Sequence, residues 1–132
     1  PNNTLNRAEL LKIVILAKYP EPALSYSESC FNDVYLGAWY THYVCFAKEK
    51  GIIQGYPNGT FKPSQEITYT EALKITLEIM GYSPTQSTKV WYQAYLDKAS
   101  TMKIGLDSLA PGQSITRGGM AQLIMNVMKY TI

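Results

Sequence analysis

Apolar residues recur at helical spacing in three segments, each preceded by a residue type that commonly caps helices. The caps are Asn6, Thr68 and Thr116. Glu9 and Glu71 stand three positions after the first two caps, which is the spacing of a capping box. The pattern predicts three amphipathic helices of about three to four turns. Their apolar positions are Leu10, Ile13, Val14 and Ala17, then Ala72, Ile75, Ile79 and Met80, then Met120, Leu123, Ile124, Val127 and Met128.

Two more helices are predicted upstream of the second and third of these. Each opens with a Trp-Tyr pair, and apolar residues follow at offsets of four, five and eight, which place them on one helical face. These residues are Trp39, Tyr43, Val44 and Ala47 in one segment and Trp91, Tyr95, Leu96 and Ala99 in the other. Gly51 stands where the first of the two helices should end, as expected for a C′ glycine.

A turn is predicted between the paired helices. Pro57, Asn58 and Gly59 combine a fixed backbone angle with residues that tolerate positive φ. Phe61 is expected to pack this turn onto the core, and Asp33 is expected to cap the turn that leads to Trp39. Residues 105–111 form a shorter version, in which Leu109 matches Phe61 and Pro111 matches Pro63.

The chain is therefore predicted to be one all-α module built from imperfect repeats. Residues 1–18 hold the second helix of a partial repeat, and residues 19–30 form a linker. Residues 31–81 hold a complete repeat, and residues 82–132 hold a degenerate one. The connecting segments are residues 19–29 and 81–89. The three equivalent helices are expected to pack as a central bundle with approximate threefold symmetry, because a lone helix of this length is marginal in water.

Composition excludes several classes of function. The net charge of +2 without a run of Lys or Arg does not suit a nucleic-acid binder. No segment approaches the roughly 20 apolar residues of a membrane span, so no membrane insertion is expected. Tyr is abundant, with 11 residues against three Phe, and suits either a wet binding surface or the margins of a small helical core. The start at Pro1 without Met suggests a processed or shortened chain.

The candidates for chemistry are few. Cys30 and Cys45 could form a single disulfide or remain two buried thiols, and two cysteines are too few for a zinc site. His42 is the sole histidine, without a nameable nucleophile beside it. We therefore expect no enzymatic activity, no cofactor and no metal.

The middle of the chain resembles the surface-layer homology (SLH) family. The resemblance is carried by Phe31-Asn32-Asp33-Val34, Trp39-Tyr40, the stretch from Gly51 to Pro63, and Ile67-Thr68 with Glu71. The third repeat is similar from Trp91 onward, and the first retains only its helix. Family members typically carry three tandem repeats, which assemble into a three-pronged spindle around a central helical bundle. The resemblance implies that this chain keeps the three bundle helices and lacks the first prong.

The resemblance implies a non-catalytic anchoring module on the bacterial cell surface. Its expected partner is a secondary cell-wall polysaccharide or related envelope glycan, anionic and in many members pyruvylated, held in grooves between repeats. A carboxylate favours an Arg near a helix N-terminus, with backbone amides and aromatic faces around it. The predicted ligand-binding residues are Arg7, Arg117, Trp39, Trp91, Tyr56, Asn58, Gly59 and Tyr69.

Departures from the family pattern leave alternatives open. Tyr69 stands where the motif has Arg, and we expect it to reduce carboxylate binding there; Gly118 and Gly119 replace Ala and Glu. Trp39 and Trp91 could instead be core residues, as Trp at the start of a helix more often is, and Arg7 could be a solvated surface residue. A second hypothesis is a degenerate SLH scaffold for protein–protein assembly or self-association, and a third is an accessory domain of an envelope hydrolase.

Overall fold

The computed structural model describes residues 3–19, 26, 28–85 and 90–131. In this part of the chain it contains five α-helices and no strands, so the predicted all-α class is confirmed. Parts of both predicted connecting segments, residues 20–25 with 27 and residues 86–89, lie outside the described residues. The helices are α1 (Arg7–Lys18), α2 (Thr41–Glu49), α3 (Tyr69–Met80), α4 (Gln93–Met102) and α5 (Arg117–Thr131).

The chain divides into two compact units. The first, which we call the α3–α5 unit, joins residues 3–5 to the described residues from Glu66 onward. The second, the α1–α2 unit, comprises Asn6–Gln65. Residues 31–73, which carry the clearest repeat motif, are thus shared between the units.

In the α1–α2 unit, α1 packs against α2. Of the apolar positions predicted for α1, Leu10 and Val14 are buried, whereas Ile13 and Ala17 are only half-buried. Of those predicted for α2, Val44 and Ala47 are buried. Phe61 is fully buried and its ring lies 5.6 Å from that of Phe31, so the prediction that Phe61 packs the turn onto the core is confirmed. Residues far apart in sequence thereby share one core.

A disulfide joins Cys30 to Cys45, so the bridge is the correct one of the two alternatives for these cysteines. Their Cα atoms are 5.6 Å apart, and the bridge fastens the segment before Phe31 to α2. Tyr26 packs against the same helix, because its amide donates to His42 Nδ1 and its hydroxyl donates to Glu49 Oε2. Burial, together with the Glu49 carboxylate, raises the pKa of Tyr26 to about 12.

In the α3–α5 unit, α3 packs against α4. Tyr95 of α4 is buried and its hydroxyl donates to Glu78 Oε1 of α3 at 2.7 Å. Asn126 of α5 donates to the carbonyl of Ile104, just after α4. Leu109, predicted to match Phe61, is only half-buried, whereas Ile104 is fully buried. In this part of the chain the fully buried residue is therefore Ile104, just after the end of α4, and not Leu109 of the shorter loop.

A closed ring of backbone hydrogen bonds joins the residues before the three predicted caps. Leu5 N donates to Ile115 O at 3.1 Å, Ile115 N to Ile67 O at 3.0 Å, and Ile67 N to Leu5 O at 3.1 Å. All three side chains are fully buried, and all three residues belong to the α3–α5 unit. The predicted bundle of α1, α3 and α5 stays a prediction.

The ends of α2 and α4 use the same motif with different residues. After α2, Ile52 N donates to Ala47 O and Gly51 N to Lys48 O, with Gly51 at φ 74°, so Gly51 is the predicted C′ glycine. After α4, Ile104 N donates to Ala99 O, and Lys103 adopts the left-handed conformation at φ 59°. An L-residue other than Gly is strained there.

Candidate functional site

The first functional candidate, Arg7, opens α1. The capping box is formed: Asn6 Oδ1 accepts from Glu9 N at 2.8 Å, and Glu9 Oε1 accepts from Asn6 N at 3.0 Å. This fixes the first turn, and Arg7 Nε donates to the carbonyl of Phe61 at 2.9 Å. Only 7% of Arg7 is exposed, so the alternative of a solvated surface residue does not hold. Arg7 connects the start of the helix to the predicted turn.

The turn itself, residues 55–63, is held by close backbone contacts. Gly55 has φ 75°, and a Cβ there would lie 2.3 Å from a ring carbon of Phe31. Tyr56 N donates to Thr60 O, and Gly59 N donates to Tyr56 O. The Gly59 amide, expected to be an exposed donor for a ligand, is therefore engaged inside the turn. Both glycines are required by positive φ and by lack of space.

Asn58, predicted as a ligand contact, lies exposed at the tip of this turn. Its Oδ1 accepts from the backbone amide of Thr60 at 3.2 Å and from the Thr60 hydroxyl at 2.6 Å. Its carbonyl accepts from Asn32 Nδ2 at 3.3 Å. Asn58 thus shapes the turn through its side chain, and its exposed position leaves the tip accessible to a large ligand.

Asp33 has a different role from the predicted one. Its Oδ1 accepts from Phe61 N and its Oδ2 from Lys62 N, both at 2.8 Å. Tyr40, the cap of α2, has no side-chain capping bond. The expectation that Asp33 caps the turn before Trp39 is wrong: Asp33 holds the far end of the 55–63 turn instead.

Two cationic side chains, those of Arg7 and Lys62, contact the ring of Tyr56. Arg7 Cζ is 5.3 Å and Lys62 Nζ is 4.4 Å from the centre of the Tyr56 ring, distances at which cation–π attraction operates. Lys62 is exposed and takes the left-handed conformation at φ 61°. Strained residues of this kind concentrate at functional sites. The arrangement concentrates positive charge around a half-buried aromatic ring.

The equivalent first position of α3 is occupied by Tyr69. It is 3% exposed, and its hydroxyl accepts from the amide of Leu106 at 2.7 Å. Burial raises the pKa of Tyr69, while the Leu106 amide opposes that shift. Where Arg7 donates to a carbonyl, Tyr69 therefore accepts from an amide, and a neutral phenol stands in place of a guanidinium.

Arg117 opens α5 and is exposed. Its amide donates to Asn3 O at 2.8 Å, and the Thr116 hydroxyl accepts from Gly119 N at 3.0 Å. Because Gly119 has no carboxylate, only half of a capping box forms at this helix. The N-terminus of α5 consequently carries less negative charge than those of α1 and α3.

Trp39 and Trp91 repeat one arrangement in the two units. They are 53% and 46% exposed and lie just before α2 and α4, so they are not core residues. Each makes an edge contact with the following tyrosine. Lys12 Nζ lies 5.3 Å from the Trp39 ring and Lys74 Nζ 5.6 Å from the Trp91 ring. Each unit therefore exposes an aromatic face beside a lysine.

The structure divides the predicted residues between the units. The α1–α2 unit contains Arg7, Tyr56, Asn58, Gly59 and Trp39. The α3–α5 unit contains Tyr69, Trp91 and Arg117.

Sequence reasoning missed the lysines at this site. Lys12 and Lys74 occupy the same place in their repeats, seven residues after Leu5 and Ile67, so the internal repeat could have indicated them. Lys62 gave no such signal, since its importance depends on how residues 55–63 fold.

The features so far define an all-α module that presents aromatic and cationic groups and, among the described residues, has no group of His, Cys, Asp or Glu suited to a metal. Residues 31–73 match the model of the S-layer homology domain, and this part of the chain belongs to that family, as predicted.

Several wall and surface proteins are similar to the chain. It is 28% identical over 133 residues to the middle cell wall protein of Brevibacillus brevis and 29% identical over 133 residues to a surface layer protein of Brevibacillus choshinensis. It covers 12% of each relative, and each alignment takes in 99% of the chain. Cell surface glycoprotein 1 of Acetivibrio thermocellus is 35% identical over 107 residues, 79% of the chain and 4% of the relative. The chain thus corresponds to a small part of each of these proteins.

No helix in the described part of the chain is long and apolar enough to span a membrane.

Proposed function

We propose that this chain is a non-catalytic cell-wall anchoring module that binds anionic wall polysaccharide at the extracellular surface. The observation that carries the proposal is similarity along 99% of the chain to proteins named for the cell wall and the surface layer, together with the S-layer homology match. A pyruvate ketal is the anionic group that the family resemblance favours.

The chemistry of the α1–α2 unit supports an anionic ligand. Lys62 is exposed beside Tyr56, and Arg7 lies on the same ring with its Nε committed to Phe61 O. In this arrangement Lys62 supplies the accessible charge and Tyr56 an apolar surface. Arg7 acts mainly by positioning the ring.

The α3–α5 unit supplies a second cation at a helix start. Arg117 is exposed in the first turn of α5, where the helix dipole favours an anion and no carboxylate occupies the position of Gly119. At the start of α3, by contrast, Tyr69 is buried and engaged with Leu106. We propose that carboxylates bind near Arg117 and near Lys62, and bind poorly at Tyr69.

A sacculus-binding experiment tests the proposal. Purified sacculi are incubated with the chain before and after acid removal of the wall polymer, and the bound fraction is measured over a range of salt concentrations. We expect binding that requires the polymer and weakens with salt, because exposed charges are screened within about 10 Å at 0.1 M salt. Equal binding to stripped sacculi would overturn the proposal.

Charge-matched variants locate the contacts. Lys62→Ala with Arg117→Ala should weaken sacculus binding about tenfold or more, equivalent to about 1.4 kcal/mol. The control is Lys18→Ala with Lys129→Ala, which removes the same charge from the exposed last turns of α1 and α5. Equal loss in both double variants would reduce the effect to net charge and refute the proposed positions.

Crystals soaked with a pyruvylated disaccharide test the finer statement. Density is expected beside Lys62 or Arg117 and not at Tyr69. An occupied site at Tyr69 would contradict the argument that a neutral phenol cannot replace a guanidinium.

One observation favours the second hypothesis, self-association. Met125, Met128 and Tyr130 on α5 are each more than 40% exposed, and exposed apolar groups of this kind suit an interface. Light scattering over a range of protein concentrations tests it, since a constant monomer mass would exclude self-association.

A further inference from the structure

The α1–α2 unit contains a cleft of about 260 Å³ that shares Tyr56 and Gly59 with the predicted contacts and adds Lys48, which was not predicted. It lies between the segment around Cys30 and the start of the 55–63 turn, with Lys48 of α2 on its wall. Gln54 and Tyr56 line the opposite side. Most of the side chains at the cleft are polar, which suits a hydrated ligand better than an apolar one.

Lys48 is fixed in place by two contacts. Its Nζ donates to the carbonyl of Cys30 at 2.8 Å and lies 4.4 Å from the centre of the Phe31 ring. An ammonium group has three donors, so this single hydrogen bond leaves two for a ligand. A cation held by a carbonyl and a ring has lost much of its freedom before a ligand arrives, which lowers the cost of binding.

Neutral hydrogen-bonding groups stand opposite the cation. The side chain of Gln54 and the hydroxyl of Tyr56 make no hydrogen bond to any residue that the structure describes. Gln54 is exposed and offers two donors and an acceptor, and Tyr56 offers one hydroxyl. The cleft thus combines one charge with several groups that suit sugar hydroxyls.

Both walls are rigid. The Cys30–Cys45 disulfide fastens one wall to α2. Asn32 joins the walls, because its amide donates to Gly59 O at 3.0 Å and its side chain to Asn58 O at 3.3 Å. The cleft is therefore preformed.

We propose that this cleft is a subsite for one acidic sugar residue, with Lys48 binding the carboxylate and Gln54 and Tyr56 binding ring hydroxyls. The inference rests on the proposed function and adds a position within a single unit. It is specific to the complete repeat, because Ser100 follows Ala99 where Lys48 follows Ala47 in the equivalent helix, so the degenerate repeat lacks the cation.

The test titrates the ¹⁵N-labelled full chain with sodium glucuronate, and with glucose as the neutral control. We expect amide shifts at Lys48, Gln54 and Asn32 with glucuronate and much smaller shifts with glucose. Lys48→Gln should raise the Kd for glucuronate about tenfold or more, because a hydrogen bond to a charged group contributes about 1.5–3 kcal/mol. Lys50→Gln is the matched control. Lys50 is exposed and lies two residues after Lys48, at the C-cap of α2, and its replacement should leave the Kd unchanged.

Gln54→Ala is the second variant, chosen because an exposed side chain without internal hydrogen bonds can be removed without unfolding the chain. It should weaken glucuronate binding severalfold. Absence of shifts, shifts at Lys62 or Arg117 without shifts at Lys48, or an unchanged Kd in both Lys48→Gln and Gln54→Ala would overturn the subsite.

Sacculus binding of the same proteins separates this inference from the proposed function. If the unaltered chain binds sacculi and Lys48→Gln binds equally well, the cleft is not part of the wall-binding surface and only this inference fails. If the unaltered chain does not bind sacculi, the proposed function fails, and cleft shifts with glucuronate then support only an acidic-sugar site.

Discussion

Asp33 is the side chain whose removal should damage the 55–63 turn most selectively. Asp33→Asn keeps the shape of the side chain but replaces one accepting oxygen by an NH₂ group. Both oxygens of Asp33 accept backbone amides, from Phe61 and Lys62. The variant can keep one of these bonds and sets a donor against the other amide.

The magnitude follows from the bond that is lost. A hydrogen bond to a charged group contributes about 1.5–3 kcal/mol, and an unsatisfied amide adds to the loss. We expect the free energy of unfolding to fall by about 2 kcal/mol in Asp33→Asn, and by about twice that in Asp33→Ala. The corresponding fall in Tm is roughly 3–5 °C for each kcal/mol in a chain of this size.

Urea unfolding followed by circular dichroism measures the effect. Asp97→Asn is the control, because Asp97 is exposed and accepts from Gln93 within one helix, a contact that contributes about 0.5 kcal/mol or less. An Asp33→Asn variant as stable as this control would refute the assignment of Asp33 as the clamp of the turn. Sacculus binding should fall with stability, since Tyr56 and Lys62 lie on that turn.

Three further predictions concern stability. Lys103→Gly should stabilise the chain by about 0.5–1 kcal/mol in urea unfolding, because glycine relieves the strain at φ 59°; destabilisation would refute that strain. Cys45→Ser opens the bridge to Cys30, 15 residues away, and should cost about 3 kcal/mol of unfolding free energy, with an unchanged urea midpoint as the contrary result. Since the pKa of Tyr26 is raised from 10.0 to about 12, its stabilising contribution is complete below pH 10 and is lost as the pH rises to 12. Tyr26→Phe should flatten this alkaline loss in thermal unfolding, and an identical pH profile would contradict it.

The helices were largely predictable because their signals are local. The caps at Asn6 and Thr68, the capping-box glutamates and the C′ glycine at Gly51 all depend on residues a few positions apart. The SLH motif is local too, and it indicated the family from residues 31–73.

The site was less predictable because it depends on contacts between distant residues. Asp33 reaches Phe61 and Lys62 across the unit, and neither its spacing nor its neighbours indicate this. The burial of Arg7 likewise depends on the carbonyl of Phe61. The ligand-binding role predicted for Gly59 relied on an exposed backbone amide, whereas the folded turn uses that amide internally.

The ring formed by Leu5, Ile67 and Ile115 affects how the chain is assembled during synthesis. Leu5 is translated well before Ile115, so the hydrogen bond between them closes a loop that includes most of the described residues. Contacts of such long sequence separation form slowly. Each member of the ring both donates and accepts, so a nascent chain that has reached only Ile67 leaves two ring positions with unmatched backbone groups. Completion of the ring therefore has to wait for Ile115, which precedes α5, and a ribosome stalled before Ile115 should yield a protease-sensitive α3–α5 unit.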